Sequence, residues 1–202
     1  MKKTFGIIGA GNIAQTLARY LSKAGYSVTI SNSRDADSLK EVVAGLGNGV
    51  KAATASEAAK RDIVILALPW KSLPSLPPMT DWKGKHVIDA TNHFITYQPD
   101  FQLADLGDRT STETVQMYVH GAIVVKAFNT LSYKILEKDP DQGNGRRVLF
   151  ISGDHAAFNN EVSDLITSIG FAPVDLGSLA VGGLLQQAKG PLAGLDLVLF
   201  TR

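Results

Sequence analysis

Short apolar runs alternate along the chain with turn residues and with stretches whose apolar positions recur every three to four residues. The runs Thr4 to Ile8, Ser27 to Ser31, Val50 to Ala52, Ile63 to Ala67, His86 to Ala90, Ile123 to Phe128, Arg147 to Ile151 and Ala172 to Asp175 predict strands. Most of them are apolar on consecutive positions, as in a parallel sheet covered on both faces. Ile13, Leu17, Ala18 and Leu21 share one face of a helix over Ile13 to Ala24 that stops at Gly25. Further helices are predicted over Asp37 to Leu46, over Ser56 to Lys60 with Ser56 as N-cap, and over His155 to Ile169 after the capping residue Asp154. Leu73 to Pro78, with its three prolines, cannot be a central strand and is expected to carry the chain across the end of the sheet. Asp139 to Arg146 reads as a surface loop or hairpin.

Composition narrows the function classes. With 202 residues, 45% hydrophobic and 19% charged, the chain can bury a core without covalent staples. Twenty basic against nineteen acidic residues give a formal charge of +1 and no dense basic block, so neither nucleic acid nor an anionic membrane is an expected partner. The absence of cysteine excludes disulfide scaffolds, Cys-ligated zinc, iron–sulfur clusters and thiol catalysis. Gly6, Gly9 and Gly11 interrupt the apolar start after Met1-Lys2-Lys3, which argues against a signal peptide, and a cytoplasmic protein is expected.

The first strand leads directly into Gly9-Ala10-Gly11-Asn12-Ile13-Ala14, a G-x-G-x-x-A sequence that opens the first helix. Gly9 permits the tight turn, Gly11 lets backbone amides approach a pyrophosphate, and Ala14 allows close packing of helix on strand. The helix N-terminus then offers unpaired N–H groups to the anion. The fold class is therefore α/β, a Rossmann-type doubly wound parallel sheet with a small C-terminal αβ extension. The division falls near residue 120, giving a nucleotide-binding part, 1–120, and a smaller part, 121–202.

Specificity is read at the end of the second strand. An NAD site places Asp or Glu there to hold the ribose 2′-hydroxyl, whereas this chain has Ser31-Asn32-Ser33-Arg34, whose donors and guanidinium suit a 2′-phosphate. NADP(H) is thus the expected cofactor. Asp35 and Asp37 follow too late and suit the next helix start. Ligands of open α/β sheets bind beyond the strand C-termini, which brings Leu68-Pro69-Trp70, Thr91-Asn92-His93 and Asn129-Thr130 to the candidate site. Taken alone, Trp70 reads better as a packing ring in a turn, and Asn and Thr are also ordinary turn formers. Lys126 lies within an apolar strand, either as a stem reaching toward solvent or as a cofactor contact. The four histidines lack metal-ligand spacing and no nucleophile motif occurs, so neither a metal site nor a catalytic side chain is assigned.

Taken with Ser152-Gly153-Asp154 and Val174-Asp175-Leu176-Gly177-Ser178-Leu179, these motifs follow the order and spacing of the deazaflavin-dependent NADP reductases, and the chain resembles that family over nearly its whole length. The stretch Val125 to Thr130 also resembles the cytosolic reductase domain of the six-transmembrane epithelial antigen metalloreductases. The resemblance implies hydride transfer between NADP(H) and a flavin or deazaflavin held against the nicotinamide. It also implies a homodimer, with 121–202 contributing to the acceptor site and dimer contacts. By position it places Gly9 to Ile13 on the pyrophosphate, Ser33 and Arg34 on the 2′-phosphate, Leu68 and Pro69 beside the nicotinamide, and Asn129 and Thr130 near the ring or acceptor. The chain carries Asn129 where the archaeal deazaflavin enzymes have a histidine, and its segment after Gly183, ending at Thr201-Arg202, is shorter. The resemblance to the metalloreductases is expected to stop at their reductase domain, without the membrane haem domain.

A flavin-type acceptor takes a hydride with little acid or base help, which fits the lack of an assigned catalytic side chain. Two alternatives remain open on the sequence: a reductase of a small carbonyl or imine, which needs a proton donor, and a non-catalytic NADP(H)-sensing module.

Overall fold

The computed structural model describes residues 2–97 and 99–200; Met1 and the Thr201-Arg202 end lie outside the described residues. Along the chain the elements are β1 (Thr4–Ile8), α1 (Asn12–Lys23), β2 (Ser27–Ser31), α2 (Lys40–Ala44), β3 (Val50–Ala52), α3 (Ala55–Ala58), β4 (Ile63–Leu66), β5 (His86–Asp89) and α4 (Ser111–Tyr118). They continue with β6 (Ile123–Ala127), α5 (Tyr133–Leu136), β7 (Gly145–Gly153), α6 (Ala156–Ser168), β8 (Ala172–Asp175), α7 (Leu179–Gln186) and β9 (Val198–Phe200). All strands join one sheet in the order β3-β2-β1-β4-β5-β6-β7-β8, and β9 pairs the start of β7. The first six run parallel in the order of a dinucleotide-binding sheet. β7 is antiparallel to β6, and β8 continues parallel to β7. The sheet passes residue 120 without a break.

Alternation along the strands divides the core between the two faces. Ile7, Ile63 and Ile65 pack with Leu17, Leu21, Phe158 and Val162 of α1 and α6 on one side. Ile8, Val64, Leu66 and Val87 pack with Trp82 and Val115 on the other. Neighbours in sequence therefore serve opposite faces, and the unbroken apolar runs are the consequence.

Several local expectations are corrected. The stretch 37–46 splits into a 3₁₀ turn, Ala36–Leu39, and the short α2. α3 is opened by Thr54, whose hydroxyl accepts from the Glu57 amide while the Glu57 carboxylate accepts from the Thr54 amide, and not by Ser56. His155 rather than Asp154 occupies the N-cap of α6; Asp154 accepts from the Leu179 amide at 3.0 Å and so holds the start of α7. The proline-rich stretch forms consecutive 3₁₀ turns, Trp70–Ser75 and Pro77–Met79, beyond the end of β4.

Neither α4 nor α7 was predicted. α4 carries a readable signal, the box Thr110–Glu113, but its buried Ser111 and Thr112 hide the apolar face. α7 contains Gly182 and Gly183, which argue against a helix in isolation. A Cβ on Gly182 would meet the Cβ atoms of Leu176 and Ser152 at 2.7 Å, so glycine there lets α7 lie directly on β7.

Candidate functional site

The C-terminal ends of β1, β2, β4, β5 and β6 open into one cavity of about 1070 Å³. Its floor is the β1–α1 turn. Gly9 has φ +126°, a conformation that side chains strongly disfavour, and its amide donates to Ser31 O at 2.9 Å, closing the turn against β2. A Cβ on Gly9 would overlap the carbonyl oxygen of Ala67. The turn is thus clamped between β2 and the end of β4. At Gly11 an added Cβ would enter open space, which is the room a bound group needs there. Gly11 is also the N-cap of α1 and makes no side-chain cap bond; no acidic residue occupies the first turn. The first-turn amides of a 12-residue helix therefore face the cavity without a built-in acceptor.

Beyond β2, Asn32, Ser33 and Arg34 line the cavity wall. Asn32 shapes this corner: its Oδ1 accepts from the Arg34 amide at 2.9 Å and its Nδ2 donates to Ser38 Oγ at 2.9 Å. The acidic residues nearby are engaged elsewhere, Asp35 with the Ser38 amide at 2.8 Å and Asp37 with Lys40 at 2.9 Å. Among the described residues Arg34 makes no ion pair. Arg34 and Lys71 are the charged side chains on the cavity wall, both positive, and no Asp, Glu or His lines it among the described residues. The electrostatic character is that of a receptor for a polyanion.

The rest of the wall comes from the other strand ends. Leu68 and Pro69 line the cavity after β4, but Trp70 turns away, packs on the cluster around Ile8 and Val87, and meets the His93 ring edge-on at 5.9 Å. After β5, Thr91 and Asn92 line it. After β6 the chain enters the left-handed region at the buried Phe128, φ +65°, and the cavity wall resumes at Leu131, Ser132 and Tyr133. Asn129 and Thr130 are buried behind that wall. Asn129 acts on Asn92 instead: its Nδ2 donates to Asn92 Oδ1 at 3.0 Å, and Asn92 Nδ2 donates to Asn129 O at 2.9 Å.

Behind Thr91 and Asn92 lies a buried polar cluster that strand patterning did not reveal. Lys126 and Asp89 are fully buried neighbours on β6 and β5, with Nζ to Oδ2 at 3.1 Å. Neither role expected for Lys126 holds: its stem does not reach solvent and it does not line the cavity. Asp89 also accepts from the Thr91 amide at 2.8 Å, the Thr91 hydroxyl at 2.7 Å and the Thr112 hydroxyl at 2.6 Å, while Lys126 donates to Thr91 O at 3.1 Å. Amide, hydroxyl and carbonyl of Thr91 are thereby all held by one ion pair. Gln186 of α7 completes the cluster, donating to Lys126 O at 3.1 Å and to Asn129 Oδ1 at 3.2 Å, and accepting from Ser152 Oγ at 3.1 Å. Burial and the nearby Lys126 charge push the His93 imidazole below its ordinary pKa, and its Nδ1 has no hydrogen-bond partner among the described residues. His86 is lowered by burial, against the pull of Glu161, and stacks on Phe158 at 4.3 Å. Among the described residues no group of three metal-ligating side chains occurs.

Residues 4–93 match the family profile described as NADP oxidoreductase, coenzyme F420-dependent. The metalloreductase STEAP3 of Rattus norvegicus is 29% identical over 87% of this chain, which spans 34% of that protein. The chain thus covers about a third of the length of the curated relatives it matches. Among solved structures, a hypothetical protein of Sinorhizobium meliloti is 46% identical with a TM-score of 0.91, covering 98% of this chain and 96% of that one. A candidate F420-dependent NADP-reductase of Arthrobacter sp. FB24 has a TM-score of 0.75 at 24% identity, over 88% of this chain and 86% of that one, and shares the fold. Among the described residues no helix is long and apolar enough to cross a membrane.

Proposed function

We propose that this chain, whose residues 4–93 match the family profile described as NADP oxidoreductase, coenzyme F420-dependent, is an NADP-dependent oxidoreductase that transfers a hydride between NADP(H) and a flavin-like or deazaflavin acceptor. The observation that carries the nucleotide part is the wall charge: Arg34 and Lys71 without a facing carboxylate, above the uncapped start of α1. Bound NADPH supplies the hydride from its dihydronicotinamide ring. The amides of α1 and the open space at Gly11 receive the pyrophosphate. Ser33 and the Arg34 guanidinium take the 2′-phosphate, with Asn32 fixing the turn that presents them. Leu68 and Pro69 exclude water beside the nicotinamide. Asn92 keeps one N–H and one carbonyl lone pair beyond its exchange with Asn129, enough to orient a carboxamide. Trp70, Asn129 and Thr130 then serve from behind the wall.

For the acceptor, the aromatic side chains Phe94, Tyr97 and Tyr133 on the wall support stacking of a flat ring and so direct ring-to-ring transfer. The chain's contribution is alignment of two rings at about 3 to 3.5 Å. A homodimer and a cytoplasmic location are part of the same reading; Val181, Leu184, Leu199 and Phe200 expose apolar surface that a second copy would cover.

Two measurements test it. Arg34→Ala is expected to cost NADP+ about 1.5 to 3 kcal/mol of binding free energy by calorimetry and NAD+ little, the range for a hydrogen bond to a charged group. Equal losses for both nucleotides would overturn the 2′-phosphate assignment. In stopped-flow mixing, NADPH-loaded protein is expected to reduce FMN or a deazaflavin far faster than free NADPH does, and equal rates would overturn the acceptor assignment.

A further inference from the structure

Three side-chain amides run in series from the cavity wall to α7. Asn92, on the wall after β5, donates from Nδ2 to Asn129 O at 2.9 Å and accepts at Oδ1 from Asn129 Nδ2 at 3.0 Å. Asn129 Nδ2 gives its second hydrogen to Gln186 O at 2.6 Å. Gln186 Nε2 donates to Asn129 Oδ1 at 3.2 Å and to Lys126 O at 3.1 Å, while its Oε1 accepts from Ser152 Oγ at 3.1 Å. The two ends of an amide side chain have nearly the same shape, so its direction is set by a partner that can only accept. Each amide in the series has one, a main-chain carbonyl: Asn129 O for Asn92, Gln186 O for Asn129 and Lys126 O for Gln186. One orientation of each side chain satisfies these carbonyls. The free N–H and the free carbonyl lone pair of Asn92 are therefore presented in a single order.

Two backbone features bring the series together. The buried Phe128 is held at φ +65°, a costly conformation for a bulky side chain, directly before Asn129. Gly182 and Gln186 lie one turn apart on the same face of α7, and the close approach of the glycine to Ser152 seats Gln186 within reach of Ser152 and Lys126. Gln186 is fully buried. An apolar side chain of that size would avoid the desolvation of an amide, and what the amide adds is direction.

We propose that Gln186 and Asn129 are positioning residues that hold the Asn92 amide in one orientation, so that its free N–H and carbonyl oxygen read the carboxamide of the nicotinamide ring. The proposal rests on the nucleotide reading above and adds the residues outside the wall that set selectivity for the ring substituent. A carboxamide matches Asn92 by accepting one hydrogen bond and donating another. The 3-acetylpyridine analogue keeps the oxygen but carries a methyl group in place of the NH2, which leaves the Asn92 oxygen without a donor.

The test is calorimetric binding of three ligands to the full chain: NADP+, its 3-acetylpyridine analogue, and 2′-phospho-ADP-ribose, which lacks the nicotinamide. Wild-type protein is expected to prefer NADP+ over the analogue by about three- to tenfold, the scale of one neutral hydrogen bond. Gln186→Met is similar in volume but cannot donate, and Asn129→Ala leaves Asn92 only the main-chain carbonyl of residue 129. Each is expected to bring the preference below about twofold, with 2′-phospho-ADP-ribose bound as in wild type. A general loosening of the fold would weaken all three ligands together; that result, or a preference of wild-type size in either variant, would overturn the proposal. Two results on the unaltered chain would overturn it without a variant: no preference for NADP+, or Asn129 Nδ2 protons that exchange with solvent, by NMR, as fast as those of an exposed amide. Failure of wild type to bind both NADP+ and 2′-phospho-ADP-ribose would remove the nucleotide reading as well.

Discussion

Gly9→Ala is expected to abolish measurable NADP+ binding and to lower stability by about 2 to 5 kcal/mol, combining backbone strain with overpacking. The positive φ at Gly9 is imposed by its amide bond to Ser31 O on one side and by the carbonyl of Ala67 on the other. A methyl group can be admitted only if the turn lifts away from β4, and the turn is what aims the first amides of α1. Calorimetry with NADP+ and urea unfolding followed by circular dichroism would measure the two effects separately. A variant that binds within threefold of wild type would show that the turn is not the anion-binding element. Gly11→Ala is the informative contrast, because its methyl meets no protein atom and would act only on what enters the cavity.

Lys126→Met is expected to destabilise the protein by about 3 to 5 kcal/mol, since it leaves the Asp89 carboxylate buried without its cation. The double variant Asp89→Asn with Lys126→Met should recover most of that loss, because removing both charges removes the unpaired one. Urea midpoints at equal slope would report it. A single-variant cost below about 1 kcal/mol would mean that the pair is not closed in solution. The effect should reach the site, since the Thr91 carbonyl loses the Lys126 ammonium that holds it, while the Thr91 amide and hydroxyl keep Asp89.

β1 to β8 were legible because their signal is local, short apolar runs ending in turn formers, whereas β9 was not predicted. The glycine turn and the Ser33-Arg34 corner line the cavity, since both follow a strand end by a fixed short offset. Trp70, Asn129 and Thr130 follow strand ends too, yet they stand behind the wall. Position after a strand shows that a residue is near the site, whereas the path of the following turn, such as the left-handed Phe128, decides which way it points. Phe94, Tyr97 and Phe101 carried no periodic pattern, because they lie in a loop held by one isolated bridge between Phe94 and Leu103.

By itself the sequence determined the alternating α/β order, the parallel run of the first six strands and the glycine turn that opens α1, each of which depends on residues within a few positions of one another. Only the tertiary structure decided that Asp89 and Lys126, 37 residues apart, pair in the interior, and that Gln186 of α7 joins them. It alone decided that glycine-bearing α7 is a helix and that Phe94, Tyr97 and Tyr133 share one cavity. The physical reason is the range of the interactions: buried charges, close helix approaches and cavity walls are satisfied by partners far away along the chain, and a local pattern carries no record of who those partners are.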